Sequence, residues 1–183
     1  MRKCRHCKAE LPPVKLSDKI EANGFCSFAH ADAYRRGRPT TPKPKKEKLK
    51  SIAKVRQELA ELLQKLVRLK AADDNGYCNC VTCGKAYHWK EMQGGHYIER
   101  SKIATKIIEE NINPQCHYCN HYGMKKASHV ILYRKWMIDM HGAEFVEWLE
   151  AEAGKIAKHA RDDLMAQIAE VSAQINELEK RLR

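Results

Sequence analysis

The sequence has no long apolar run. No stretch approaches the roughly 18 consecutive apolar residues that a bilayer-spanning helix needs, and mean hydropathy is −0.65. Its first 20 residues carry Arg2, Lys3, Arg5 and Lys8 and no apolar core, so no secretory signal is expected there. Acidic residues are scarce: 23 Asp+Glu against 34 Lys+Arg give a formal charge of +11. An isoelectric point near 9.3 predicts a polyanionic partner, nucleic acid or an acidic membrane surface, and leaves the fold open. Aromatic residues make up only 7% of the 183 positions, thin for one large core. A chain of this length holds one ordinary domain or two to three small modules, and small metal-stapled modules joined by helices suit the composition better. The expected compartment is a reducing cytoplasm, where clustered cysteines bind metal more often than they pair as disulfides.

What is present falls into stretches of different composition. Residues 1–34 hold three of the eight Cys and two His. Residues 35–50 are basic and carry three Pro, which predicts an extended linker. Over 51–76 a helix is expected, because Ile52, Val55, Leu59, Leu62, Leu66 and Leu69 recur at spacings of three and four until the turn sequence DDNG at 73–76 stops it. Residues 77–150 form the next module, with five Cys between 77 and 123 and helical patterning from about 127. In 151–183 a second seam, Leu164, Ile168, Val171, Ile175, Leu178 and Leu182, follows the same rhythm. Three arrangements fit the two seams: an antiparallel pair within the chain, a homodimer contact, or helices lying on the metal modules. No module repeats in tandem.

Eight cysteines scattered at random give about 0.3 C-x2-C pairs in such a chain, and this one has three: Cys4/Cys7, Cys80/Cys83 and Cys116/Cys119. Two intervening residues let a tight knuckle aim both thiolates at one tetrahedral ion. Cys26 and His30, in NGFCSFAHADAY, complete a Cys3His set with the first pair. So short a segment has too little core to fold alone, which makes a structural zinc its natural staple. The other two pairs read as a Cys4 zinc site with 32 residues between the knuckles. Cys78 is left over; it competes with Cys80 for a place, and C-V-T-C-G has the better knuckle form. Two structural Zn2+ ions are therefore expected, both with four protein ligands and no open coordination position for chemistry.

Between the knuckles lie GGHYIER at 94–100 and ENINPQC at 110–116, and Asn120 follows the second knuckle at once. Phosphodiester hydrolysis needs a general base near neutral pKa, which His supplies, and a divalent cation that a side-chain oxygen can hold. A short strand carrying His96, a hairpin back through Asn111 and a helix starting near Asn120 would bring these groups together.

His96, Asn111 and Asn120 resemble the three signature positions of HNH (ββα-metal) nucleases. More narrowly, GGHYIERS, NPQCHYCN and YRKWMIDMHGAEFVEWLE at 133–150 resemble the phage lambda NinG/Rap recombination endonuclease family. The resemblance covers most of the chain. It implies a small, helix-rich α+β protein with a ββα-metal (HNH) module, a Cys4 zinc, an N-terminal Cys3His module and long flanking helices. It implies phage origin, action in the bacterial host cytoplasm, and cleavage of branched recombination intermediates such as four-way junctions and D-loops. On this resemblance His96 is the general base, Asn120 a ligand of a catalytic Mg2+ or Mn2+, and Asn111 the brace of the loop that orients His96. The sequence departs from the common pattern at Gly95, where many HNH enzymes carry an acidic metal ligand. Related nucleases with a Gly-His pair manage with one protein ligand plus waters, so weak metal affinity is expected. Asn at position 120 favours a hard, oxygen-preferring ion.

Ten basic residues and one acid, Glu47, lie from Arg35 to Arg56. Such a run neutralises phosphates without reading sequence. Arg35, Arg36, Arg38, Lys43, Lys45 and Lys46 are its candidate DNA contacts, with Arg100, Lys125 and Lys126 nearer the reactive residues. Nothing resembles a helix-turn-helix or a basic zipper, so recognition of DNA shape is expected. The leading reading is a metal-dependent, structure-selective DNA endonuclease, with no membrane partner. Its rivals are a non-catalytic zinc-dependent DNA-binding recombination protein and a small RNA-binding zinc protein.

Overall fold

The structure, a computed structural model, describes residues 1–11, 24–37 and 49–182. The chain divides into two units, Met1–Lys48 and Leu49–Arg183. In the first, a bridge pairs Lys3 with Glu10, and Lys8 turns the chain between them at φ +63°. Ser27 then caps helix α1 (Phe28–Arg36), its hydroxyl accepting the His30 N–H at 3.2 Å. The core is small: Cys4, Leu11, Phe25 and Ala31, with Tyr34 against them. Arg35 and Arg36, expected at the head of the linker, form the last turn of α1. Arg38, Lys43, Lys45 and Lys46 lie outside the described residues.

The second unit is built around helix α2 (Ile52–Lys70). Ser51 caps it, accepting the Lys54 N–H at 3.3 Å, and Arg68 and Lys70 sit in its last turn beside the exposed carbonyls. Strands β1 (Tyr77–Asn79) and β2 (Ala86–His88) form an antiparallel hairpin around the first knuckle. Strands β3 (Gln93–His96) and β4 (Ile112–Gln115) form a second, with His96 opposite Ile112 and Gly95 opposite Asn113. A loop ending in a 3-10 turn at Glu109–Asn111 joins them. Helix α3 (His117–His121) follows β4 directly, so it begins at the knuckle itself and carries Asn120 in its interior. A 3-10 turn (Gly123–Lys125), α4 (Ala127–His141), α5 (Ala143–Glu152) and α6 (Arg161–Arg181) complete the chain. The protein is thus a small α+β structure, six helices and four short strands among the described residues.

The two apolar seams meet each other inside the chain. Val55, Leu59, Leu66 and Leu69 of α2 share one core with Leu164, Val171 and Ile175 of α6. The pair runs parallel, which corrects the antiparallel arrangement: Arg56 near the start of α2 bonds His159 just before α6 at 2.9 Å, and Arg181 at the end of α6 bonds the Ala72 carbonyl at 3.0 Å. The hairpins and the helices α3 to α5 that lie between them return the chain to the same end. The seam also overreaches at its start, where Ile52 is 41% exposed. On its other side α2 carries β3 so closely that a Cβ on Gly94 would lie 2.6 Å from the Gln64 Cα. A separate core of Tyr97, Tyr133, Met137, Val146 and Leu149 packs α4 and α5 behind the hairpin.

Candidate functional site

Both cysteine sets converge as their spacing predicts. Cys4, Cys7, Cys26 and His30 bring their ligand atoms within 4.8 Å of one another, and so do Cys80, Cys83, Cys116 and Cys119. Around a tetrahedral ion with bonds near 2.3 Å, sulfurs stand about 3.8 Å apart. The observed separations include 3.9 Å for Cys83 and Cys116 and 3.6 Å for Cys7 and Cys26. Each set could therefore hold a metal ion. In the second set burial pushes the Cys80 thiol up, and N–H groups of Cys116, Cys83 and Thr82 outweigh it, favouring thiolate. Burial first and the neighbouring sulfurs next push Cys119 up. Four such sulfurs cannot all ionise side by side without a cation among them. Cys78, the leftover thiol, is buried on β1 outside the set. His117 and His121 are exposed, their rings stacked on each other at 5.0 Å, and neither joins the set.

Directly beside this cluster, β3, the loop after it and α3 enclose a cleft lined by His96, Glu99, Arg100, Lys102 and Asn120. His96 stands at the end of β3 and is only 7% exposed. Its Nε2–H donates to the Lys106 carbonyl at 3.0 Å, which leaves Nδ1 as the lone-pair nitrogen, buried and without a protein partner. Burial, and behind it the Arg100 and Lys106 charges, pull its pKa down to about 4, so the ring is neutral at pH 7. Asn111 is fully buried and ties the loop shut. Its Nδ2 donates to the carbonyls of Ile98 at 3.1 Å and Thr105 at 2.9 Å, and its Oδ1 accepts the Ile98 N–H at 2.7 Å. The carbonyl that holds His96 is thus next to one that Asn111 holds.

Asn120 reaches the cleft from α3, donating Nδ2–H to Gln93 Oε1 at 2.6 Å. Its Oδ1 accepts no hydrogen bond within the described residues. Gly95 has a steric cause: a Cβ there would stand 1.9 Å from Oε1 of Gln115, whose fully buried side chain occupies that space. An acidic side chain on Gly95 cannot coexist with this Gln115 conformer. Arg100 is exposed and lines the cleft. Lys125 lies in the 3-10 turn rather than in a following helix, and Lys126 precedes α4, its Nζ donating to the Tyr118 hydroxyl at 3.0 Å. Sequence reasoning missed Gln93, Gln115 and Arg68. The only local signal was the GG pair before His96, since adjacent glycines in a strand mark close approach of other groups.

These features define a class: a small cysteine-rich α+β protein with two potential metal clusters and a polar cleft between hairpin and helix. The family model of the bacteriophage lambda NinG protein matches residues 35–181, and the chain belongs to that family, which is associated with phage recombination. The match begins after the Cys4/Cys7/Cys26/His30 set, so that cluster lies outside it. No curated protein and no solved structure matches the chain.

Proposed function

We propose that the protein is a metal-dependent, structure-selective DNA endonuclease of the HNH (ββα-metal) type, acting on branched recombination intermediates such as four-way junctions and D-loops. The observation that carries the reading is His96: a neutral imidazole whose Nε2–H is fixed on the Lys106 carbonyl and whose buried Nδ1 has no protein partner, on a residue that lines the cleft together with Asn120. Nδ1 takes a proton from water as the water oxygen attacks phosphorus and the bond to the leaving oxygen breaks. Burial first, and the Arg100 and Lys106 charges behind it, hold His96 proton-poor; the incoming phosphate opposes those charges and raises its basicity when substrate is bound. Asn111 keeps the Lys106 segment in place and so holds the imidazole orientation. Asn120 offers Oδ1, and Glu99 is the carboxylate lining the cleft; this donor set fits a hard cation. A bound Mg2+ or Mn2+ supplies neutralisation of charge developing on the phosphate and leaving oxygen. The two cysteine sets hold structural zinc. DNA is engaged by Arg100, Lys125 and Lys126 with the basic run from Arg35, and action in a host cytoplasm accords with the family.

The second reading, a non-catalytic DNA-binding recombination protein, is favoured by the closed space at Gly95, which removes one acidic ligand. One experiment separates them. Zinc-loaded protein and its His96→Ala variant are given a labelled immobile four-way junction and a linear duplex of matching sequence, with Mg2+ or Mn2+. The expected outcome is junction cutting by the wild type and a loss of at least about a hundredfold in the variant, with binding retained. Equal cutting of both substrates removes the structure selectivity. Binding without cutting in either metal establishes the second reading.

A further inference from the structure

A second cleft of about 250 Å³ opens beside the first and shares Arg100 and Asn120 with it. Gln64, Arg68, Gln93 and His121 complete its polar lining, and no carboxylate lines it. It is smaller than pockets that enclose drug-sized ligands, which start near 300 Å³. Its size and lining suit a compact anion.

Arg68 is the unusual member. It comes from α2, outside the hairpin-and-helix module, and is half-buried. Its Nε donates to the Gln64 carbonyl at 2.9 Å and its Nη1 to the Met92 carbonyl at 2.9 Å. The guanidinium carbon stands 5.9 Å from the Trp89 ring centre. No carboxylate comes within ion-pair distance of it among the described residues, and its Nη2 makes no hydrogen bond there. A cation withdrawn from water and held by neutral carbonyls alone is costly unless an anion arrives. Fixed by its backbone contacts, the planar fork loses little freedom when it binds one.

We propose that Arg68, with Arg100, forms a second phosphate subsite, which takes a non-bridging oxygen of a DNA phosphate neighbouring the one at His96. The long helix α2 is then part of the substrate site as well as its support. The inference rests on the nuclease reading for the identity of the neighbouring phosphate, but phosphate binding itself can be read without cleavage. Arg68 is a positioning residue here, since it does not reach the reacting atoms.

The test uses full-length zinc-loaded protein and a labelled four-way junction, with binding measured from 50 to 200 mM salt and no Mg2+. Neutralising one phosphate contact lowers the slope of log K against log salt by about one. Arg68→Gln is expected to bind about tenfold more weakly with that reduced slope, while Arg68→Lys keeps the slope. Arg68 also tethers the Met92 carbonyl, and a purely structural role would lower zinc content and melting temperature without moving the slope. An unchanged slope in folded Arg68→Gln overturns the proposal. If that variant does not fold, methylphosphonate substitution scanned along the junction strand decides with wild type and Arg68→Met, which keeps an apolar stem against Trp89. A position that weakens wild type but not Arg68→Met supports the subsite, and no such position overturns it. Wild type that binds with the full slope but cuts nothing in Mg2+ defeats the nuclease reading alone.

Discussion

At the residue scale His96 sets a measurable signature. Its proton affinity falls from the ordinary 6.5 to about 4 on folding, so the unfolded chain binds the proton more tightly than the folded one. The folded state is therefore favoured above pH 6.5, and that advantage disappears as pH falls towards 4. At about 1.4 kcal/mol per tenfold change in affinity, it amounts to roughly 3 kcal/mol. Denaturant unfolding of wild type and His96→Gln across this window should show wild type losing more stability on acidification. Loss of metal from protonated thiolates affects both proteins and cancels in the difference. Parallel curves would mean that His96 is not buried in its neutral form. The sequence made His96, Asn111 and Asn120 legible as a set, because the spacing of a strand, a loop and a knuckle is local. It did not make legible why Gly95 is glycine, since Gln115 closes that space from the opposite strand.

At the element scale the seam positions are alike in sequence and unequal in the fold. Leu66 is fully buried in the core shared by α2 and α6, whereas Ile52 is 41% exposed. Leu66→Ala should cost about 2–5 kcal/mol, and Ile52→Ala should stay within about 0.5 kcal/mol, both read by urea unfolding. Equal losses would show that the helix start is covered. Removal of residues 155–183 would strip Leu164, Val171 and Ile175 from the same core. The expected result by circular dichroism and light scattering is loss of cooperative unfolding, with aggregation through the bared α2. A folded truncated monomer would contradict the packing. Heptad spacing announces a seam but carries no direction, so the parallel pairing could be read only from the contacts at the two ends, Arg56 with His159 and Arg181 with Ala72.

At the scale of the whole molecule, two cysteine sets in two units predict two zinc ions per chain. Metal analysis should find two, with one lost in Cys26→Ser and the other in Cys80→Ser. Because unit 2 gathers both knuckles and the His96 cleft, Cys80→Ser should also lower its melting temperature, as metal binding is part of folding in such sites. Retention of two ions in either variant would reassign the ligands. The sequence alone determined the candidate ligand sets, the helix seams, the basic excess and the candidate trio His96, Asn111 and Asn120, because each depends on residue type and short-range spacing. Only the tertiary structure decided what surrounds them: β3 lying against the Gln64 backbone, Asn120 oriented by Gln93, and Arg68 brought from α2 to a cleft beside His96. Those contacts join residues roughly 25 or more positions apart, and their existence depends on packing that closes long loops, which no local pattern encodes.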